Sequence, residues 1–543
     1  MPAKYPTSTA NKRAVYTIRP KDIVEILYHR KCDESEEFLV RWRTNPIYPR
    51  PPRAVLSWHA LSELDDCLHL VQLYLENINA SKSSNETTTT DGPTETSSLS
   101  YSRKRKLSGD QVLSRDTANG LLTPANSADR SRSPSAERTT GGSFGPRVYN
   151  GILQRKEGRV IAKSVKKLPE AAREDVVTIN STTLPTPTML LDASKAPTKQ
   201  SELAIRMRFL ELLKPVKGVQ LQNLVDTTTP SLNFTFVDDY VLRDGVDAQE
   251  PEAYEGCVKK CKPNMGQNMG CEYTQWCECL EYAAVDERAL ERKDPKLHAT
   301  YMQAKAAGED IDTMGMPKRF PYSAPKDNRS VPQTLGSYYL EKREPVYECN
   351  HNCKCGPRCK SRVVQKGRKV PLTIFKTENR GWGVYCNEDL MAGEFIDTYL
   401  GEVITDTEAD RRETESGKMK NSYFFSLDKF STEHDGEIEP EDCFIVDGQY
   451  MGGPTRFINH SCEPNCKQYV VSFNKNDFKL YNLAFFAYEN IRAGTELTFD
   501  YFDLDEVEED EAIRRREEAE KDPENKDKVR CNCGTVKCRG FLW

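Results

Sequence analysis

Nowhere do the 543 residues offer the roughly 18 consecutive apolar side chains that a membrane span requires. The first thirty residues lack the apolar core of a secretory signal. Both absences lead us to expect an intracellular protein. Basic residues are not in excess: 77 Lys and Arg face 83 Asp and Glu, a net charge of −6. The chain as a whole is therefore not an electrostatic binder of nucleic acid. Large apolar residues are scarce between 81 and 200, where Ser, Thr, Asn, Pro and charged residues dominate. Such a segment buries too little surface to offset chain entropy, and is expected to be a disordered linker. It contains Arg103-Lys104-Arg105-Lys106, which has the composition of a nuclear import signal.

Cysteine is the residue that is present in quantity, 18 in all, and it is clustered. In a reducing compartment clustered thiols read as metal ligands rather than disulfides. One group runs Cys257, Cys261, Cys271, Cys277, Cys279, and a second runs Cys349, Cys353, Cys355, Cys359. Zinc takes four ligands in structural sites. Nine thiolates satisfy three zincs if three of the sulfurs bridge two metals each, a cluster of net charge −3. Two separate fingers with a spare cysteine are the alternative. A third group, Cys531, Cys533 and Cys538, is one ligand short, and Cys462 is the candidate for the fourth. Metal there would order the tail. Cys32, Cys67, Cys386, Cys443 and Cys466 read as buried or spare thiols.

The rest of the chain divides by pattern. Residues 20–80 read as a small α+β unit, with strands at Ile23–Leu27 and Glu37–Arg43 and a helix after Asp65 that carries Leu68, Val71 and Leu75. Residues 201–254 form a flank that opens on a helix, with Leu203, Met207 and Leu210 as its apolar stripe. The cysteine module spans 255–368. Short apolar runs broken by Gly, Asn and Asp make 371–502 β-rich. A charged insert, 503–526, leads to the cysteine tail, 527–543.

Five further motifs occur in order: Arg380-Gly381-Trp382-Gly383-Val384, Tyr399-Leu400-Gly401-Glu402-Val403, Arg456-Phe457-Ile458-Asn459-His460-Ser461-Cys462, Phe499-Asp500-Tyr501 and Cys531-Asn532-Cys533-Gly534. With the cysteine frameworks they closely resemble the SET-domain methyltransferases of the suppressor-of-variegation type, which modify lysine-9 of histone H3 in heterochromatin. The resemblance runs from about residue 232 to the C-terminus. It implies a multidomain, mainly β protein: a curved-sheet SET fold with a pseudoknot, flanked by a pre-SET zinc cluster and a post-SET zinc lid. It also implies S-adenosylmethionine as methyl donor, the H3 tail on nucleosomes as partner, and a nuclear, chromatin-bound location. Runner-up readings are a methyltransferase for another lysine and an inactive chromatin scaffold.

The chemistry asks for alignment, a dry channel and a neutral lysine amine. The resemblance places Tyr501 and Tyr423 at that channel as the catalytic phenols. Arg380, Gly381, Trp382, Gly383, Tyr423, Arg456, Asn459, His460 and Trp543 are assigned to the cofactor. Phe499 is expected to set the number of methyl groups added, in favour of di- and trimethylation. The unit at 20–80 resembles a chromodomain, which would bind methyl-lysine in an aromatic cage. Trp42 matches one wall, whereas Lys21 and Asn45 occupy the other two positions, with Tyr16, Tyr28 or Tyr48 as substitutes.

Overall fold

The computed structural model describes residues 3–6, 13–16, 18–32, 35–43, 54–86, 151–156, 159–164, 177–179, 184–185, 187–264, 271, 277–309, 311–323, 333–416, 423–431, 438–502, 509–522 and 528–542. The import-signal tetrad, Asn45, Tyr48 and Trp543 lie outside them. The chain forms two compact units that meet within one helix, at residues 205–206.

The first unit is built on strands Ile23–Cys32, Ser35–Trp42 and Ala54–Ala60, paired antiparallel in that order. Alternate side chains, Phe38 and Val40 among them, are buried. Asp65–Cys67 is a single 3-10 turn, and the α-helix Leu68–Glu86 follows it with Val71, Tyr74 and Leu75 buried. Part of the segment expected to be unfolded belongs to this unit. Strands Gly151–Lys156, Arg159–Ser164 and Val177–Ile179 extend the sheet to six, and Pro187–Lys195 is a helix. The composition average over 81–200 concealed two short apolar runs, Ile152-Leu153 and Val160-Ile161, one on each strand of a hairpin.

Trp42 is also corrected. It is 4% exposed, and its indole N–H donates to Ser57 Oγ at 2.7 Å. A ring so placed is core, as strand alternation requires, and is no wall of an open cage. Tyr28 is likewise buried.

The helix Lys199–Leu213 is where expected but presents another face. Leu203, Met207 and Leu210 are exposed, while Ile205, Phe209 and Leu213 are buried. Two stripes of this helix satisfy helical spacing, and the one carrying the aromatic ring is the one that packs.

The second unit holds several small sheets around one large apolar cluster that includes Phe209, Leu372, Val384, Ile396, Val446, Phe457, Phe485 and Phe499. The flank does not stand apart from it. Val219–Gln222 pairs parallel with Leu372–Lys376, Thr235–Phe236 with Met451–Gly452, and Val241–Leu242 with Glu402–Ile404. Within the cysteine module the segment between the two thiol groups carries a helical hairpin, Glu287–Lys293 and Pro295–Ala307. Asp286 and Asp294 cap the two helices through their side chains. The two-residue strands Asn459–His460 and Thr498–Phe499 pair parallel and bring together motifs about forty residues apart. The charged insert contains a helix, Glu509–Lys521, laced by Arg514 and Arg515 to Glu511 and by Arg514 to Glu518. Among the described residues no helix is long and apolar enough to cross a membrane.

Candidate active site and metal centres

A cavity of about 400 Å³ lies where these elements converge. Arg380, Gly381 and Trp382 form one side; Tyr423, Arg456, Asn459 and His460 another; Phe499 and Tyr501 the floor; and Val529–Cys533 with Leu542 the remaining wall. The cysteine tail thus closes a cavity that the sheets leave open.

The aromatic residues form a continuous box. Phe499 is 3% exposed, and its ring centroid lies 4.8 Å from Tyr501, 4.9 Å from Phe485 and 5.9 Å from Phe425. Tyr399 stands 4.5 Å from Phe425 and donates its hydroxyl to the Tyr423 carbonyl at 2.8 Å. The Gly448 amide donates to the same carbonyl at 3.1 Å. The Arg456 guanidinium lies 3.9 Å above the Tyr423 ring. Tyr423 is therefore gripped by its backbone and covered on one face. The Tyr501 hydroxyl donates to the Ile458 carbonyl at 3.0 Å. Burial, and then Tyr423 beside it, pushes the Tyr501 phenol above its ordinary value of 10, so it stays an O–H donor at neutral pH.

The glycine-bearing turn serves two purposes. Gly381 has φ +70° with open space around it, so glycine is there for backbone conformation. Gly383 does not line the cavity. A Cβ on it would stand 2.8 Å from Glu496 Oε1, 2.9 Å from the Phe375 ring and 3.2 Å from Asn459 Nδ2. It permits close packing within the protein rather than approach to a ligand.

Asn459 and His460 spend their side chains internally. Asn459 Nδ2 donates to Glu496 Oε1 at 2.9 Å and to the Trp382 carbonyl at 3.2 Å. His460 Nδ1 accepts from the Tyr501 amide at 3.1 Å, and its Nε2 lies 3.3 Å from both Cys462 Sγ and the Arg539 guanidinium. What these two residues offer the cavity is chiefly backbone. Glu496, which also pairs with Arg380, was not singled out from the sequence. Nor was Arg539, whose guanidinium pairs with both carboxylate oxygens of Asp500 at 2.6 and 2.9 Å. Each is one charged residue among 160, and only the fold reveals its partner.

All nine cysteines of the first two groups gather in one buried cluster. Their sulfurs fall into overlapping sets of four within 4.8 Å: Cys257, Cys261, Cys271, Cys277; Cys257, Cys277, Cys279, Cys349; Cys257, Cys349, Cys353, Cys355; and Cys271, Cys349, Cys355, Cys359. Sulfurs on a tetrahedral zinc with bonds of ~2.3 Å stand about 3.8 Å apart. Cys257 and Cys271 are 3.6 Å apart, Cys257 and Cys349 4.0 Å, and Cys359 and Cys349 3.9 Å, far beyond disulfide length. Three of the four sets mix the two groups, which two independent fingers would not do. Cys462 joins Cys531, Cys533 and Cys538 in a fourth centre, with Cys462 and Cys531 3.9 Å apart. Cys67, Cys386, Cys443 and Cys466 are buried thiols away from these centres.

Comparison with known proteins agrees with this arrangement. The SET domain model matches residues 381–502 and the Pre-SET motif model residues 213–362. The H3 lysine-9-specific histone-lysine N-methyltransferase dim-5 of Neurospora crassa is 36% identical over 331 residues, covering 60% of this chain and 88% of that protein. This chain belongs to the SET-domain histone-lysine N-methyltransferases. The corresponding enzyme KMT1 of Fusarium mangiferae is also 36% identical, over 333 residues (61% of this chain, 88% of the relative). Histone-lysine N-methyltransferase SUV39H2 of Xenopus tropicalis is 39% identical over 319 residues (55% and 73%). The Pre-SET match begins within the flank, ahead of the boundary at 255 read from the cysteines. As a member of this family the chain is an S-adenosylmethionine-dependent lysine methyltransferase with zinc-type cysteine clusters.

Proposed function

We propose that this enzyme methylates lysine-9 of the histone H3 tail in chromatin, in two or three steps, within the nucleus. The observation that carries the reading is a single cavity that joins the glycine turn, both tyrosines, Phe499 and the cysteine tail. Its volume suits a nucleoside-sized ligand, and its aromatic lining suits a cationic sulfur and a methylated ammonium. When bound, S-adenosylmethionine supplies the methyl group for an in-line displacement.

The protein's own part is positional. Trp382 and the turn at Gly381 form the flat side of the cofactor site, with the Asn459–His460 backbone opposite. Glu496 holds Arg380 and Asn459 in register with that turn. Tyr501 and Tyr423 orient the lysine amine by their hydroxyls. The buried aromatic box excludes water and disfavours the ammonium form, which lowers the lysine pKa from its free value of about 10.4. Phe499 leaves the box without a hydroxyl on that side, room that a dimethylated amine requires. Trp543, which follows Leu542 in the chain, is the candidate cover for the cofactor in this reading. Three zincs bind the nine-thiolate cluster, and one binds Cys462, Cys531, Cys533 and Cys538.

The test is methyl transfer from labelled S-adenosylmethionine to two H3 tail peptides, one natural and one with alanine in place of lysine-9. Label on the first and none on the second is expected. Equal labelling of both would transfer the reading to another lysine, and none on either would leave the scaffold.

A further inference from the structure

Beside the cysteine cluster this acidic chain contains a stretch of opposite character. Residues 354–369 hold seven Lys and Arg and no Asp or Glu. Two of the seven are used internally. Arg362 is 7% exposed and donates to Cys355 Sγ at 3.7 Å, against the thiolate cluster. Arg368 pairs with Asp397 at 2.8 Å. Arg368 also reaches the flank, donating to the Lys217 carbonyl at 2.5 Å and to the Gly218 carbonyl at 3.4 Å.

This bridge aligns two basic segments. Val219–Gln222 runs parallel to Leu372–Lys376 with Val219 opposite Leu372, so the residues that precede both strands emerge at one edge. Lys214 and Lys217 lie between the helix Lys199–Leu213 and the first strand, Lys366 and Lys369 in the turn ahead of the second, and all four are exposed. No ion pair links any of them to a carboxylate among the described residues; Lys366 Nζ touches only the Cys359 carbonyl, at 3.5 Å. A histone tail, itself basic, would be repelled here. No aromatic residue occurs in 354–371 or 211–222, so the edge lacks the rings on which single-stranded bases stack. The phosphates of a duplex backbone are the partner that this charge and this lack of rings favour.

We propose that this edge is a docking surface for the phosphate backbone of double-stranded DNA, seating the enzyme on the nucleosome whose tail enters the channel. The second half of that statement rests on the proposed H3 activity; the DNA contact does not. The test uses the full chain and a variant with Lys214→Gln, Lys217→Gln, Lys366→Gln and Lys369→Gln. A fluorescent mixed-sequence duplex and a single strand of the same length serve as probes, titrated over a range of salt. Each phosphate contact contributes about 0.9 to the slope of log affinity against log salt. The variant's slope is expected to be shallower by about 3.6, so the parent loses ~150-fold more affinity between about 50 and 200 mM salt. Zinc content and H3 peptide methylation should be unchanged, while nucleosome methylation falls. Equal slopes, or no duplex binding by the parent, would overturn the proposal, as would preference for the single strand. Should the fourfold variant lose zinc, single Lys→Gln variants must each lower the slope by about 0.9. Failure of peptide methylation by the parent would strike the H3 reading and leave the slopes as an independent result.

Discussion

Removal of the Arg539 guanidinium tests whether the cysteine tail is a working wall of the active site. Arg539 follows the last thiol, and its two bonds to Asp500 tie the tail to the segment that carries Tyr501. The side chains are 24% and 12% exposed, so solvent screens the pair only partly. A bidentate, charge-assisted pair in this setting contributes about 1–2 kcal/mol after that discount. Arg539→Gln keeps most of the side chain's bulk and removes the charge. At 1.4 kcal/mol per decade, the docked tail becomes about 5- to 30-fold less favoured, and apparent cofactor affinity falls by the same factor where docking limits binding. The four thiols are untouched, so zinc content stays at the parental value. Calorimetric titration with S-adenosylhomocysteine, alongside elemental analysis, reads both quantities. Asp500→Asn should weaken binding similarly, and the double variant should cost little more than either single one. Cofactor binding within twofold of the parent at full zinc occupancy would refute the role of the latch, and strictly additive single effects would refute the pair.

Cys462→Ser should release one zinc equivalent and abolish turnover while the nine-thiolate cluster keeps its metal, which elemental analysis resolves. Phe499→Tyr should shift the product toward monomethyl-lysine by mass spectrometry, since the hydroxyl takes space in a box already 4.8–5.9 Å between ring centres. Tyr501→Phe should lower kcat by about 10²-fold. Because burial raises the Tyr501 phenol, its proton is retained as pH rises through 9. The climb of rate with pH should therefore report the lysine amine and keep its midpoint in the Phe variant. A displaced midpoint would make Tyr501 the titrating group. Gly383→Ala should cost about 1–3 kcal/mol of stability in a melting experiment, because the added Cβ would meet the Glu496 carboxylate at 2.8 Å and the half-buried Phe375 ring at 2.9 Å.

Repetition makes much of the site legible in the sequence alone. Thirteen cysteines at ligand spacing and five ordered motifs identify the metal centres, the cavity walls and the family. Isolated residues stayed silent because their meaning is their partner. Glu496 sits between unremarkable neighbours, and Arg539 resembles any exposed cation until Asp500 is found opposite. Periodicity located the helix at 199–213 but not its buried face, because both stripes are apolar and only packing chooses between them. Trp42 was drawn toward a binding role by resemblance, whereas a hydrogen-bond partner on the adjacent strand, Ser57, holds it in the core. Averaging over 81–200 erased strands only six residues long.

The shared thiols have a consequence for how metal is acquired. Cys257 and Cys349 each appear in three of the four sulfur sets, so no ion in that cluster has a private coordination shell. Loss of one ion turns its bridging sulfurs into terminal ligands of its neighbours, so two ions still find eight positions among nine sulfurs, and loss of metal is expected to be graded rather than all-or-none. The segment between Cys279 and Cys349 is also tied to the sheets, by Val346–Tyr347 beside Cys466–Ser472 and by Tyr322, Leu335 and Tyr339 in one apolar cluster with Phe395 and Phe486, so its helical hairpin, residues 287–307, is the loop where added chain length costs little further closure entropy. That loop is a place where such an enzyme can vary its exterior while the methyl-transfer channel stays as it is.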